Sequence, residues 1–169
     1  IGIQNIPLKK VLWKHINGTK IINKSGIKIH TNIIKENDMK AISKNKSVKF
    51  GIIGCSRVAQ KYFLPAIDSS NIVELGFIGS RDEKKSKEWA KKYDCEYFGT
   101  YEDVLESNVD AVYISLPIGL HEEWVTKAAE SGKHILCEKS ATTSFDSAKR
   151  MVEHTKKNNV RLLEAFSFR

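Results

Sequence analysis

The stretch Val48-Lys49-Phe50-Gly51-Ile52-Ile53-Gly54-Cys55-Ser56-Arg57-Val58-Ala59 decides how the rest of the chain is read. An apolar run of strand character ends at Gly54, and a helical pattern starts directly after it. This is the context in which a glycine turn binds a nucleotide. Counted from Gly54, the turn reads Gly54-x-Ser56-x-x-Ala59, a Gly-x-Gly-x-x-Gly/Ala fingerprint with its middle glycine replaced. Gly54 permits the tight turn, and Ala59 is small enough for the helix to pack against the strand. The middle position lets main chain approach a pyrophosphate at the helix N-terminus. Ser56 keeps that position small, and its hydroxyl has two possible uses, capping the helix or donating to a phosphate. Arg57 stands ready to meet phosphate charge, or only solvent.

Outward from this turn, strands and helices alternate. Strands are expected over residues 48–54, 72–79, 96–98, 110–116, 134–137 and 160–166. Helices are expected over 57–69 (interrupted or bent near Pro65), 83–93, a segment capped by Thr100 with Asp103 three residues on, 122–131 and 144–159. Gly132 reads as a helix stop. The alternation implies right-handed crossovers and an α/β fold, a doubly wound parallel sheet of Rossmann type.

The charge divides unevenly. The net +8 arises wholly within residues 1–47, where ten lysines face only Glu36 and Asp38; residues 48–169 are neutral overall. Residues 1–47 are read as a basic extension or a remnant of another domain, with a short strand over 27–31 and a linker over 37–47. Their lysines are dispersed and Trp13 is their one aromatic residue, a poor footprint for nucleic acid, so no nucleic-acid partner is expected. Cys55, Cys95 and Cys137 form no Cys-x-x-Cys pair. They are expected to be buried structural thiols, with no disulfide framework and no metal site. No apolar run approaches the ~20 residues of a membrane span, and the N-terminus lacks the order of a signal peptide. A soluble, cytoplasmic chain without a membrane partner is expected.

Ligands of such a sheet lie beyond the carboxyl ends of its strands. After the second strand come Ser80, Arg81 and Asp82. A site selective for NAD places an acid at that strand end; a hydroxyl with a guanidinium suits a 2′-phosphate and points to NADP. Alternatively, Ser80 and Asp82 serve only to cap the next helix. After the strand over 110–116, Leu116 and Pro117 lead to His121, which either contacts the cofactor or caps and packs. After 134–137 come Glu138 and Lys139. An ammonium in a partly dry cleft exchanges a proton with a hydroxyl or carbonyl, which makes Lys139 the leading catalytic candidate.

Together, Gly51-Ile-Ile-Gly-Cys-Ser-Arg-Val-Ala59, Ser80-Arg81-Asp82, Ser115-Leu-Pro-Ile-Gly-Leu-His121, Gly132-Lys-His-Ile-Leu-Cys-Glu-Lys139 and Leu163-Glu-Ala-Phe166 resemble the glucose–fructose oxidoreductase/inositol dehydrogenase (Gfo/Idh/MocA) family. The resemblance covers the dinucleotide-binding domain, residues 48–169. It implies hydride transfer with NAD(P) at a hydroxyl-bearing carbon of a sugar, cyclitol or nucleotide sugar; the preference for NADP(H) over NAD(H) is expected from Ser80 and Arg81. From the strand ends and this resemblance together, cofactor contacts are expected from Gly54, Ser56, Arg57, Val58, Ala59, Ser80, Arg81, Leu116, Pro117, His121, Glu138 and Lys139. Lys139 would lie near substrate and nicotinamide, and Glu138 near the nicotinamide ribose. Ser140 stands where the family has proline, and Ile118 where it often has asparagine. The family's substrate domain, with further acid/base residues and the oligomerising sheet, has no counterpart in the chain. The chain alone is therefore expected to be inactive, and a homo-oligomer is expected only for a protein carrying that domain. The alternative function is a non-catalytic dinucleotide-binding or redox-sensing module.

Overall fold

A computed structural model describes residues 47–166. The chain divides after Lys46, and all described residues belong to the second unit. The expected strand over 27–31, and the linker over 37–47 apart from Ser47, lie outside the described residues.

Six parallel strands form one sheet in the order β3-β2-β1-β4-β5-β6: β1 Val48–Ile53, β2 Val73–Gly79, β3 Phe98–Gly99, β4 Ala111–Ile114, β5 His134–Glu138 and β6 Leu162–Ala165. Five α-helical segments connect them: α1 Leu64–Asp68, α2 Glu83–Lys92, α3 Tyr101–Glu106, α4 His121–Glu130 and α5 Phe145–Lys157. Ile53, Val112, Ile114, Ile135 and Cys137 point to one face, beneath Val104, Trp124, Val125, Ala128 and Met151 of α3, α4 and α5. On the other face Ile78 packs with Ala90 of α2 and with Cys55 and Cys95. Both faces are thus covered, as parallel sheets require, and β4 is buried at every position. The strand order reverses between β1 and β4, which opens a crevice at their carboxyl ends.

The helix after the glycine turn departs from regular geometry at Ala59–Phe63, where one π-helical turn precedes α1. Pro65 has no N–H to donate and its ring crowds the carbonyl four residues back. The wider turn absorbs this: the Leu64 N–H donates to the Ala59 carbonyl, five residues back. The interruption expected near Pro65 thus takes the form of a π-helical turn just before it. Thr100 and Asp103 form a reciprocal capping box at the start of α3, with the Asp103 N–H donating to Thr100 Oγ1 (3.2 Å) and the Thr100 N–H to Asp103 Oδ2 (2.7 Å). Those bonds hold the Asp103 carboxyl below its ordinary pKa. Gly132 closes α4 at φ +71°.

Every strand differs from the sequence expectation by one or two residues at one end or both. The third strand lies at Phe98–Gly99 rather than 96–98, because Gly99 pairs with Gly79 at the end of β2. The last strand begins at Leu162, opposite Ile135.

Candidate functional site

Gly54 has φ +104°, and a Cβ there would sit 2.7 Å from Leu116 Cδ2 and 3.1 Å from the Ser115 carbonyl oxygen. Only glycine brings β1 this close to the end of β4. Its N–H donates to the Gly79 carbonyl (3.1 Å), and its carbonyl accepts from Ser115 Oγ (2.6 Å), so the turn is latched to the strand on either side. Ser56 Oγ accepts the Ala59 N–H at 3.0 Å and so caps the helix. Ala59 is fully buried, while Arg57 and Val58 are exposed. The Arg57 and Val58 amides take no acceptor from the described residues. Such first-turn donors are what an anionic group binds. Beside them, burial pushes the Cys55 thiol up to about 11, so it remains a thiol.

At the end of β2, Ser80 is buried and accepts the Asp82 N–H at 3.2 Å. Asp82 caps α2 by accepting the N–H groups of Lys84 (3.0 Å) and Lys85 (3.4 Å). Two of the three polar residues there are thus committed to starting α2, which leaves Arg81 as the exposed cation of that strand end. The hydroxyl of Tyr101 in α3 has its pKa raised by burial and partly drawn back by the Arg81 guanidinium. Lys85, in the first turn of α2, acts on Cys55 in the same sense and adds a second positive charge near the crevice.

At the ends of β4 and β5, Pro117 and Lys139 are exposed and Glu138 is half-buried. The Lys139 ammonium has no ion-pair partner among the described residues. His121 is 1% exposed, with Nε2 2.8 Å from the Leu116 carbonyl oxygen and Nδ1 3.0 and 3.3 Å from those of Ser140 and Ala141. The ring joins the loop after β4 to the loop after β5. A neutral imidazole donates to one side at a time and an imidazolium to both. His121→Ala removes these bonds and leaves a cavity, so a loss of about 2–4 kcal/mol is expected in denaturant unfolding.

Three residues of this edge were not singled out as site residues in the sequence. Ser115 holds the glycine turn as described, and Glu164 of β6 accepts the Ala141 N–H at 2.9 Å. Tyr113 of β4 donates through Oη to Glu138 Oε1 at 2.5 Å. Its one sequence signal is a hydroxyl inside a wholly buried strand, which calls for a partner.

The four strand ends lie side by side in the order β2, β1, β4, β5, with Arg81 at one end and Glu138 and Lys139 at the other. At ~4.8 Å per strand this row spans roughly 14 Å, a length suited to an extended ligand. Residues 48–166 match the oxidoreductase family with an NAD-binding Rossmann fold, GFO_IDH_MocA. The chain belongs to this family.

Among GFO_IDH_MocA relatives, the chain is 37% identical over 124 residues to the dTDP-3,4-didehydro-2,6-dideoxy-alpha-D-glucose 3-reductase of Saccharopolyspora spinosa, covering 73% of this chain and 37% of that protein. It is 39% identical over 122 residues to D-xylose 1-dehydrogenase (NADP(+)) 2 of Haloferax volcanii, covering 71% and 37%. The fold superposes on a 3-ketoreductase from Actinomadura kijaniata crystallised with NADP, with TM-score 0.69, 34% identity and coverage of 72% and 39%. It also superposes on the WlbA dehydrogenase of Bordetella pertussis, crystallised with NADH and UDP-GlcNAcA, with TM-score 0.67, 27% identity and coverage of 72% and 35%. The chain thus spans well under half the length of these relatives, and its described residues form the family's dinucleotide-binding domain.

Proposed function

We propose that this domain holds NADP(H), in preference to NAD(H), for an oxidoreductase acting on a hydroxyl or carbonyl carbon of a sugar, cyclitol or nucleotide sugar. The observation that carries the proposal is the row of strand ends, in which free helix amides, an exposed arginine and a Glu–Lys pair share one edge of the sheet in a GFO_IDH_MocA domain. The amides of Arg57 and Val58 meet the diphosphate, close to Gly54, Ser56 and Ala59. Arg81, with Lys85, meets the 2′-phosphate, and the capping role of Asp82 keeps its carboxylate engaged with the α2 amides. Leu116 and Pro117 line the crevice where the strand order reverses. Glu138 accepts from the hydroxyls of the nicotinamide ribose, and Lys139 exchanges a proton with the substrate oxygen.

When bound, the nicotinamide supplies or accepts the hydride. The substrate class follows the relatives, whose activities concern a nucleotide-linked sugar and a free sugar. The three free cysteines are all buried, in keeping with a reducing, cytoplasmic setting. Assembly into a homo-oligomer belongs to a protein that also carries a substrate domain. Titration of the whole chain, followed by fluorescence and thermal melting, tests cofactor binding. NADPH at about one hundred times its Kd is expected to stabilise the fold by about 2.7 kcal/mol, and NADH at equal concentration by less. A folded chain that saturates with neither nucleotide overturns the proposal.

A further inference from the structure

Tyr113 lies at the middle of the buried edge between the glycine turn and the Glu138–Lys139 pair. In the sheet register Tyr113 stands opposite Leu136, so Glu138, two residues further along β5, projects from the same face. The Tyr113 ring is 2% exposed and stacks on Phe63 with centroids 4.0 Å apart at 19°. Phe63, on the helix that follows the glycine turn, meets Phe50 edge-on at 5.5 Å. Only the phenol oxygen reaches the strand-end edge, where it donates to Glu138 Oε1 at 2.5 Å. The Lys139 N–H donates to the other carboxylate oxygen at 3.2 Å. A carboxylate offers about four acceptor positions, so two bonds fix its plane and leave the remainder for a ligand.

We propose that Tyr113 is a positioning residue for the cofactor: its buried hydroxyl holds the Glu138 carboxylate in the orientation that accepts the hydroxyls of the nicotinamide ribose. This rests on the role given to Glu138 above. Burial, together with the Glu138 carboxylate, raises the phenol pKa well above its ordinary value, so the group stays a donor at working pH. The aromatic stack also ties the Glu138 end of the site to the helix whose first amides face the diphosphate. The two ends are thereby kept in register through Phe63 and Tyr113.

The test compares NADPH with 2′,5′-ADP, a fragment that lacks the nicotinamide ribose, in titrations of the whole chain. Tyr113→Phe keeps the ring stack and removes the donor. It is expected to weaken NADPH binding about five- to tenfold, to leave 2′,5′-ADP unchanged, and to add nothing further in a Glu138→Ala background. Equal weakening of both ligands with a lowered melting temperature would mark Tyr113 as merely structural and overturn the proposal. Unchanged NADPH affinity in Tyr113→Phe, with a clear loss in Glu138→Ala, would overturn it while leaving the role of Glu138 intact. No loss in Glu138→Ala would remove that role, and the positioning proposal with it.

Discussion

Gly54→Val is expected to lower the stability of the domain by about 2–6 kcal/mol, a large share of the roughly 5–15 kcal/mol that holds a domain folded. Two independent effects add at this residue. Its φ of +104° is strained for any residue with a Cβ, at roughly 1–3 kcal/mol. The new atoms would also overlap Leu116 and the Ser115 main chain, which cannot retreat without breaking the Ser115–Gly54 hydrogen bond. Overpacking of this kind costs about another 1–3 kcal/mol. Gly54→Ala should fall between wild type and valine. Gly119→Val is the control, since a Cβ there meets nothing within 4 Å. Urea midpoints of the four proteins check the order, and a Gly54→Val midpoint equal to that of Gly119→Val would refute it.

The fold was legible because its signals are local. Gly54, Pro65, Thr100 with Asp103, and Gly132 each act within a few residues of themselves, and the alternation of strand and helix periods then leaves one sheet type. Boundaries were less legible where a neighbour sets them. Phe98 and Gly99 are strand only because β2 ends opposite them. The site divided along the same line. Gly54, Arg81, Glu138 and Lys139 were legible as residues that follow strands. The use of His121 as a clip between loops was not, because its partners at Ser140 and Ala141 lie nearly twenty residues away and are main-chain atoms of any residue type. Tyr113 and Ser115 were hidden for a related reason. Tyr113 meets Glu138 only because the register sets it opposite Leu136, and Ser115 meets Gly54 only because β4 lies beside β1. Register across a parallel sheet is fixed by crossover helices and packing, which no short motif records.

The proposed preference for NADP(H) rests on the arrangement at the end of β2, and Arg81→Asp should reverse it. Asp82 is spent on the α2 amides and Ser80 is buried, so Arg81 determines the charge that an adenosine ribose would meet. A charge-assisted hydrogen bond contributes about 1.5–3 kcal/mol, and an aspartate replaces that attraction with repulsion of a 2′-phosphate. NADPH affinity is therefore expected to fall about thirty- to hundredfold, while NADH, which has no 2′-phosphate, changes by less than about threefold. The difference should shrink as salt rises, because Arg81 is exposed and its field is screened over ~10 Å at 0.1 M. Tyr101→Phe separates charge from placement: it removes the hydroxyl on which the Arg81 charge acts, keeps the guanidinium, and should weaken NADPH far less than Arg81→Asp. Parallel titrations with NADPH and NADH at low and high salt read all three quantities. If the ratio of the two affinities is the same in Arg81→Asp as in wild type, the 2′-phosphate is recognised elsewhere, and Lys85 becomes the cation to replace next.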